Sequence, residues 1–391
     1  MNDLQKSLSS IIDSAKMIQK RHISRVLIVQ EQKSFYIGDS CVWFGKLKHV
    51  KEFFRNASMD LAFVNSHNHK HIDSLLKNNP SVDNVYMSNW EHISFDEYDL
   101  VLLISFNEEG ALEFIHNKYG EAIAAGTFRP IIFSLSQLVM APVEQGRYVF
   151  PVCPGLKEFA DPLPGELYLS QEEQEWGDEW LHRHGLQHGE RLFVLLDSTS
   201  RNQKLLKMNV YFEFLSFILN QKNIKCLVFD EQNMGKEEFY SAWLGPRLMQ
   251  KMIFSKGLKL RQDLCLIGSS HTGMVFGPCT GLMHCASSIF NNYVSNGMPV
   301  EEAPLMVVYT GQYIGSELNA QKWWGQSPLV SCLMIKQKIN RQELLLLGSL
   351  SETKKQLNDS LPCTEFTAEM LINFVNSRLK TRRSVYEEAF A

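Results

Sequence analysis

The strongest constraint in this chain is a rhythm. From residue 25 onward, short apolar runs rich in β-branched residues alternate with stretches of helical periodicity, the pattern of βα units laid on a parallel sheet. Strands are expected at 26–29, 61–64, 85–87, 100–104 and 131–133. The pattern breaks in "APVEQGRYVFPVCPGLKEFADPLPG", residues 141–165, which reads as a linker by its prolines. It then restarts with "LFVLLD" at 192–197, "KCLVFD" at 225–230, "GMVFG" at 273–277 and "LMVVY" at 305–309, with helical patterns at 211–219 and 282–290. A last helix is expected near 368–379, able to pack on either half.

At 391 residues the chain exceeds one ordinary core. The rhythm therefore predicts an α/β protein of two doubly wound, Rossmann-like domains facing a central cleft, with strand carboxyl ends toward it. The expected bounds are 1–150 for the first domain, 151–190 for the linker and the lead into the second, and 191–391 for the second domain with its C-terminal helix.

A formal charge of −4 argues against a general nucleic-acid binder, which needs a basic phosphate-binding surface. The eight cysteines, at 41, 153, 226, 265, 279, 285, 332 and 363, form no CxxC pair and fit a reducing compartment. No signal-like N-terminal run and no stretch of about eighteen apolar residues is present, so a cytoplasmic protein is expected. Near the N-terminus, Leu4, Leu8, Ile11, Ala15 and Ile18 lie along one helical stripe. Packing against the body is the expected use, and peripheral membrane contact, helped by Lys16, Lys20 and Arg21, is the other.

Three loops carry candidate chemistry. After the first strand, "IGD" opens a helix whose Trp43, Leu47, Val50 and Phe54 are spaced to share one face. Asp39 can cap that helix or serve as a base at a strand's carboxyl end. In "LLDSTSRNQK", hydroxyls at Ser198, Thr199 and Ser200 precede Arg201 and Lys204, a set able to bond a diphosphate, or else simply a solvated turn. In "VFGPCTGLMHCAS", Thr280 can cap the next helix, and Gly281 lets a ligand approach the backbone. The start of that helix offers free N–H groups to an anion, with His284 one turn in, either touching the same ligand or packed away.

Taken in order, "RVLIVQ", "IGD", "NNPSVDNVYM", "STSRNQK" and "GPCTGLMHCAS" resemble the ADP-heptose:lipopolysaccharide heptosyltransferases over roughly residues 25–315. The resemblance implies the GT-B fold and metal-independent inverting sugar transfer in lipopolysaccharide biosynthesis. It implies no cofactor beyond a nucleoside diphosphate sugar as donor substrate. It implies Asp39 as the base, with Thr199, Ser200, Lys204, Cys279, Thr280, Gly281 and His284 on the donor. The family's later "FGPT" region is matched only loosely by "VYTGQ" at 308–312. Two departures stand out: "EQKSFY" separates the first strand from Gly38, and Cys279 occupies a place where the family has an aspartate.

The expected partners are a nucleotide sugar, ADP-heptose or another, and a glycan, glycolipid or protein acceptor, with no nucleic acid. The rival readings are a silent nucleotide-sugar-binding scaffold and a nucleotide-sugar epimerase. His67, His69 and His71 suggest a metal, but clusters of this kind need further converging ligands, and none is expected here. Trp323 and Trp324 are expected as core aromatics rather than as a stacking platform for a ligand ring.

Overall fold

The run "RVLIVQE" forms strand β1 (Arg25–Glu31), buried at five consecutive positions. Unbroken burial of this kind is what a parallel strand covered on both faces requires. The computed structural model describes residues 2–31, 36–64, 69–136, 148–156, 163–199, 202–311, 324–339, 341–347 and 360–389, without the side chains of 69–70 and 381–389. The chain divides into two units, Met1–Asp161 and Pro162–Ala391.

In the first unit, helix α1 (Asp3–Ala15) precedes β1, and α2 (Ile37–Phe44) and α3 (Leu47–Phe53) lead to β2 (Ser58–Val64). Then come α4 (His69–Leu76), β3 (Asn84–Ser88), β4 (Leu100–Ile104), α5 (Glu108–Ala124) and β5 (Ile131–Ser134). The five strands lie in the order β3-β2-β1-β4-β5, all parallel. The chain fills one side of β1 before starting the other, so the topological switch point lies between β1 and β4. The apolar stripe of α1 is a packing stripe: Ile11 and Ala15 are buried, and Leu4 and Leu8 pack on the same core.

The single helix expected after Asp39 is instead two short ones. The first ends at Gly45, and the second starts at Leu47. Trp43, Leu47 and Val50 are buried as their spacing implied, while Phe54 lies past the end of α3 and is half-buried. Residues 151–156, placed with the linker by the expected bounds, fall within the first unit. Glu108, fully buried, takes hydrogen bonds from Ser134 and Ser136 Oγ on one oxygen and from the Val149 and Phe150 N–H groups on the other, the latter at 2.8 and 3.0 Å. Four bonds leave that carboxylate fully satisfied and anchor the outgoing chain.

The second unit opens with α6 (Gln171–Arg183) and β6 (Arg191–Leu195), followed by α7 (Met208–Leu219), β7 (Ile224–Asp230), α8 (Lys236–Trp243) and β8 (Met252–Lys256). It continues with α9 (Leu260–Ile267), β9 (Thr272–Pro278), α10 (Gly281–Ser295), β10 (Leu305–Tyr309), β11 (Val330–Lys338), β12 (Arg341–Leu346) and α11 (Ala368–Ala389). The sheet order is β12-β11-β10-β9-β6-β7-β8, parallel except for the β11–β12 hairpin. Its switch point lies between β6 and β9. The last helix packs on α7 through Ala368, Leu371 and Val375, which join the core of this unit. Strand β8 and the β11–β12 hairpin were not expected from the sequence.

All eight cysteines are buried, and none is joined in a disulfide. Among the described residues, no helix is long and apolar enough to cross a membrane.

One buried group sets a pH dependence of stability. Asp263 in α9 is fully buried; its Oδ1 accepts from Ser255 Oγ at 2.6 Å, and its Oδ2 has no partner among the described residues. Burial pushes its carboxyl up to about 7, only partly offset by the Ser255 hydroxyl. A carboxyl raised on folding favours the protonated native state. Stability is therefore lost as pH rises from the unfolded value of about 4 through about 7. Asp263→Asn is expected to match the natural protein near pH 4 and to exceed it by roughly 2–4 kcal/mol near pH 8. Urea unfolding at the two pH values measures this, and an equal difference at both would show that ionisation of Asp263 is not involved.

Candidate active site

The two polar loops of the second half leave adjacent strands at the β6/β9 switch point, where open α/β sheets take their ligands. Gly277 permits the close fit there, since a Cβ at that place would lie 2.3 Å from the Leu196 carbonyl oxygen. Lys204, at the end of a 3-10 turn (Asn202–Lys204), donates from Nζ to the Cys279 carbonyl at 2.6 Å. That bond draws the first loop onto the second across 75 residues of sequence. It also puts a half-buried ammonium at the entrance of α10.

That entrance is not closed by its own side chain. Thr280 is the N-cap residue with an extended backbone, yet it makes no capping bond, contrary to expectation. Its Oγ1 is buried without a partner among the described residues. An uncapped start leaves the first N–H groups of Gly281 and its neighbours, with the positive end of the helix, for an outside acceptor.

His284 lies one turn further in and is packed away. Its ring stacks on buried Trp324 with centroids 4.0 Å apart, and its Nε2 stands 3.9 Å from the Cys279 sulfur. Burial, aided by the charge of Lys204, pushes its pKa down to about 3. At neutral pH it is an uncharged imidazole, so the positive charge of this site comes from Lys204 and the helix start. Cys279 is buried, and its N–H donates to the Tyr309 carbonyl at 3.0 Å. The structure thus gathers Lys204, Cys279, Thr280, Gly281 and His284. Thr199 is half-buried in the first loop, while Ser200 and Arg201 lie outside the described residues.

In the first unit, Asp39 is an exposed residue in the first turn of α2, whose N-cap residue, Tyr36, makes no side-chain capping bond. The sequence reading ended β1 before Glu31 and so missed a second carboxylate. Glu31 takes bonds from Ser105 Oγ at 2.6 Å and Trp90 Nε1 at 3.3 Å, tying the end of β1 to the residues that follow β4 and β3. A strand extended by two residues, with a polar side chain at its tip, was the available signal. The reading also passed over Lys236 in "FDEQNMGKEEF", which reaches the end of β6. Its signal was a cation opening a helix just after the second strand of the unit.

His67, Gln312 and Trp323 lie outside the described residues, as does the side chain of His69. Among the described residues, no three His, Cys, Asp or Glu side chains are arranged to hold a metal ion.

No protein-family profile and no curated sequence matches this chain. The likeness appears in three dimensions. The Escherichia coli ADP-heptose LPS heptosyltransferase II superposes with a TM-score of 0.57 at 13% identity, over 92% of this chain and 99% of that one. The chain has the GT-B fold. A family 9 glycosyl transferase from Veillonella parvula is similar with a TM-score of 0.52 at 12% identity, over 80% of this chain and 87% of the other. The resemblance read from five short motifs is therefore a resemblance of fold along nearly the whole GT-B chain.

Proposed function

We propose that this GT-B protein is an inverting glycosyltransferase that moves a sugar, heptose or a related one, from a nucleoside diphosphate to an acceptor hydroxyl. The observation that carries the reading is the Lys204–Cys279 bond beside the uncapped start of α10. Together they concentrate positive charge where a departing diphosphate needs it. An ammonium has three donors, and Cys279 takes one, leaving capacity for phosphate oxygens. Lys204 and the helix start can take the part of a divalent cation, so the proposed reaction is metal-independent and needs no cofactor.

Asp39 is the base in this proposal. It takes the proton of the acceptor hydroxyl as that oxygen attacks the anomeric carbon and the diphosphate leaves. The acceptor class stays broad: a glycan, a glycolipid or a protein side chain.

One observation favours a second reading, a binding protein without turnover. Cys279, which stands where the family pattern has an aspartate, sits buried against His284, whose imidazole is neutral, so this pair supplies no carboxylate to the site. Incubation with a panel of nucleotide sugars separates the readings. Sugar release or transfer supports the transferase, and binding without turnover supports the silent protein. A new nucleotide sugar formed without an acceptor would indicate an epimerase.

Cys279 also bears on the choice of sugar. A thiol is a poor acceptor for sugar hydroxyls, and each hydroxyl left unpaired on burial costs about 1–3 kcal/mol. The natural protein is expected to prefer a nucleotide sugar other than ADP-heptose, with Cys279→Asp shifting preference toward the more hydroxylated donor. Relative kcat/KM across the panel for both proteins checks this. A natural preference for ADP-heptose that Cys279→Asp leaves unchanged would remove this position from selectivity.

A further inference from the structure

Asp197 poses an electrostatic problem for a diphosphate site. It lies two residues past the end of β6 at the switch point and two residues before Thr199, so its carboxylate stands at the edge of the loop that would receive a dianion. A bare carboxylate there would repel the ligand.

The structure shows how the charge is answered. Lys236, the first residue of α8, places Nζ 2.5 Å from Asp197 Oδ1, and the two side chains retain only 19% and 16% exposure. The same ammonium donates to Ser198 Oγ at 3.0 Å and to the Phe229 carbonyl at 2.6 Å, which uses all three of its donors. Tyr240 donates to Asp197 Oδ2 at 2.9 Å and is itself hydrogen-bonded to Tyr211. The other end of the arrangement is also fixed. Buried Asp230, at the tip of β7, takes the Met234 and Lys236 backbone N–H groups at 2.7 and 3.2 Å, so the start of α8 cannot drift from the sheet.

We infer that Lys236 is a positioning residue of the diphosphate loop. It neutralises Asp197, so that the loop beyond can accept a doubly charged ligand next to a carboxylate. Lys236 does not touch the ligand in this account. Its ammonium is committed to three protein oxygens, whereas that of Lys204 is not. The inference rests on the donor reading of the preceding subsection and adds to it a residue on a third loop.

Loss of the Lys236 charge and loss of its packing have different consequences for ligand binding. Isothermal titration of the full chain with ADP and with UDP provides the readout, and thermal melting verifies that each variant is folded. Lys236→Met exposes the loop to an unanswered carboxylate and is expected to weaken nucleotide binding on the order of 10- to 100-fold. Lys236→Arg, which keeps the charge, is expected to stay within a few-fold of the natural protein. The decisive variant carries both Lys236→Met and Asp197→Asn. With the carboxylate gone, the lysine is no longer needed, and affinity is expected to return to within a few-fold of natural. Unchanged affinity in Lys236→Met overturns the inference, as does a folded double variant no better than Lys236→Met. Failure of the natural protein to bind either nucleotide overturns the donor reading, and this inference falls with it.

Discussion

Replacing Asp39 with asparagine is expected to lower sugar transfer on the order of 10²- to 10⁴-fold while nucleoside diphosphate affinity stays unchanged. The substitution is nearly isosteric and keeps an oxygen able to accept a hydrogen bond at the start of α2, so the helix has little reason to change. What is lost is the proton acceptor. The residue is exposed in the first turn of that helix, where the neutral side chain remains in contact with solvent. Initial rates, titration with ADP and a melting curve on the same preparation separate chemistry from binding and folding. A folded Asp39→Asn variant that transfers sugar at a near-normal rate would end the case for a base at this position. Glu31, the carboxylate at the tip of β1, would then be the next residue to test.

Lys204→Ala is expected to reduce both nucleoside diphosphate affinity and transfer by about 10- to 100-fold, the range for losing one charge-assisted hydrogen bond to a ligand. The variant also loses the bond to the Cys279 carbonyl, and with it the tie between the two loops of the switch point. Lys204→Met keeps much of the chain's length without the charge and should resemble alanine if charge is what matters. Calorimetry that finds either variant binding ADP as the natural protein does would reduce Lys204 to a brace between loops.

How much of this was legible beforehand depended on burial. Parallel strands covered on both faces must be apolar throughout, and β1, β4, β7 and β10 therefore stood out as unbroken runs. The hairpin β11–β12 did not. It lies at the sheet edge, β12 is exposed or half-buried along its whole length, and "RQELLL" suits a helix as well as a strand. Strand β8 was lost in "LMQKMIFSK", where a short helix runs almost directly into it without a marked turn.

The site divided along the same line. Loops with compact local motifs, such as "GPCTGLMH", could be read because their residues lie next to one another in sequence. The partners of Asp197 could not be, since Lys236 lies 39 residues away and Tyr240 lies 43, and only the sheet order brings them together. The backbone at the start of α10 taught a different lesson. Thr280 was read correctly as the residue preceding the helix, but its hydroxyl is not spent on the helix, and side-chain direction has no signature in sequence.

The eight sealed thiols give the protein a built-in stopwatch for its own opening. Cys41 and Cys153 lie in the first unit, and the other six lie in the second. Burial pushes Cys153 and Cys363 up to about 12, far from the thiolate form that an alkylating reagent attacks. A short pulse of such a reagent therefore marks a cysteine only during the moments when its surroundings come apart. Mass spectrometry of the peptides bearing Cys41 and Cys153, set against those bearing Cys226 and Cys363, would time the opening of one unit separately from the other without any engineered label.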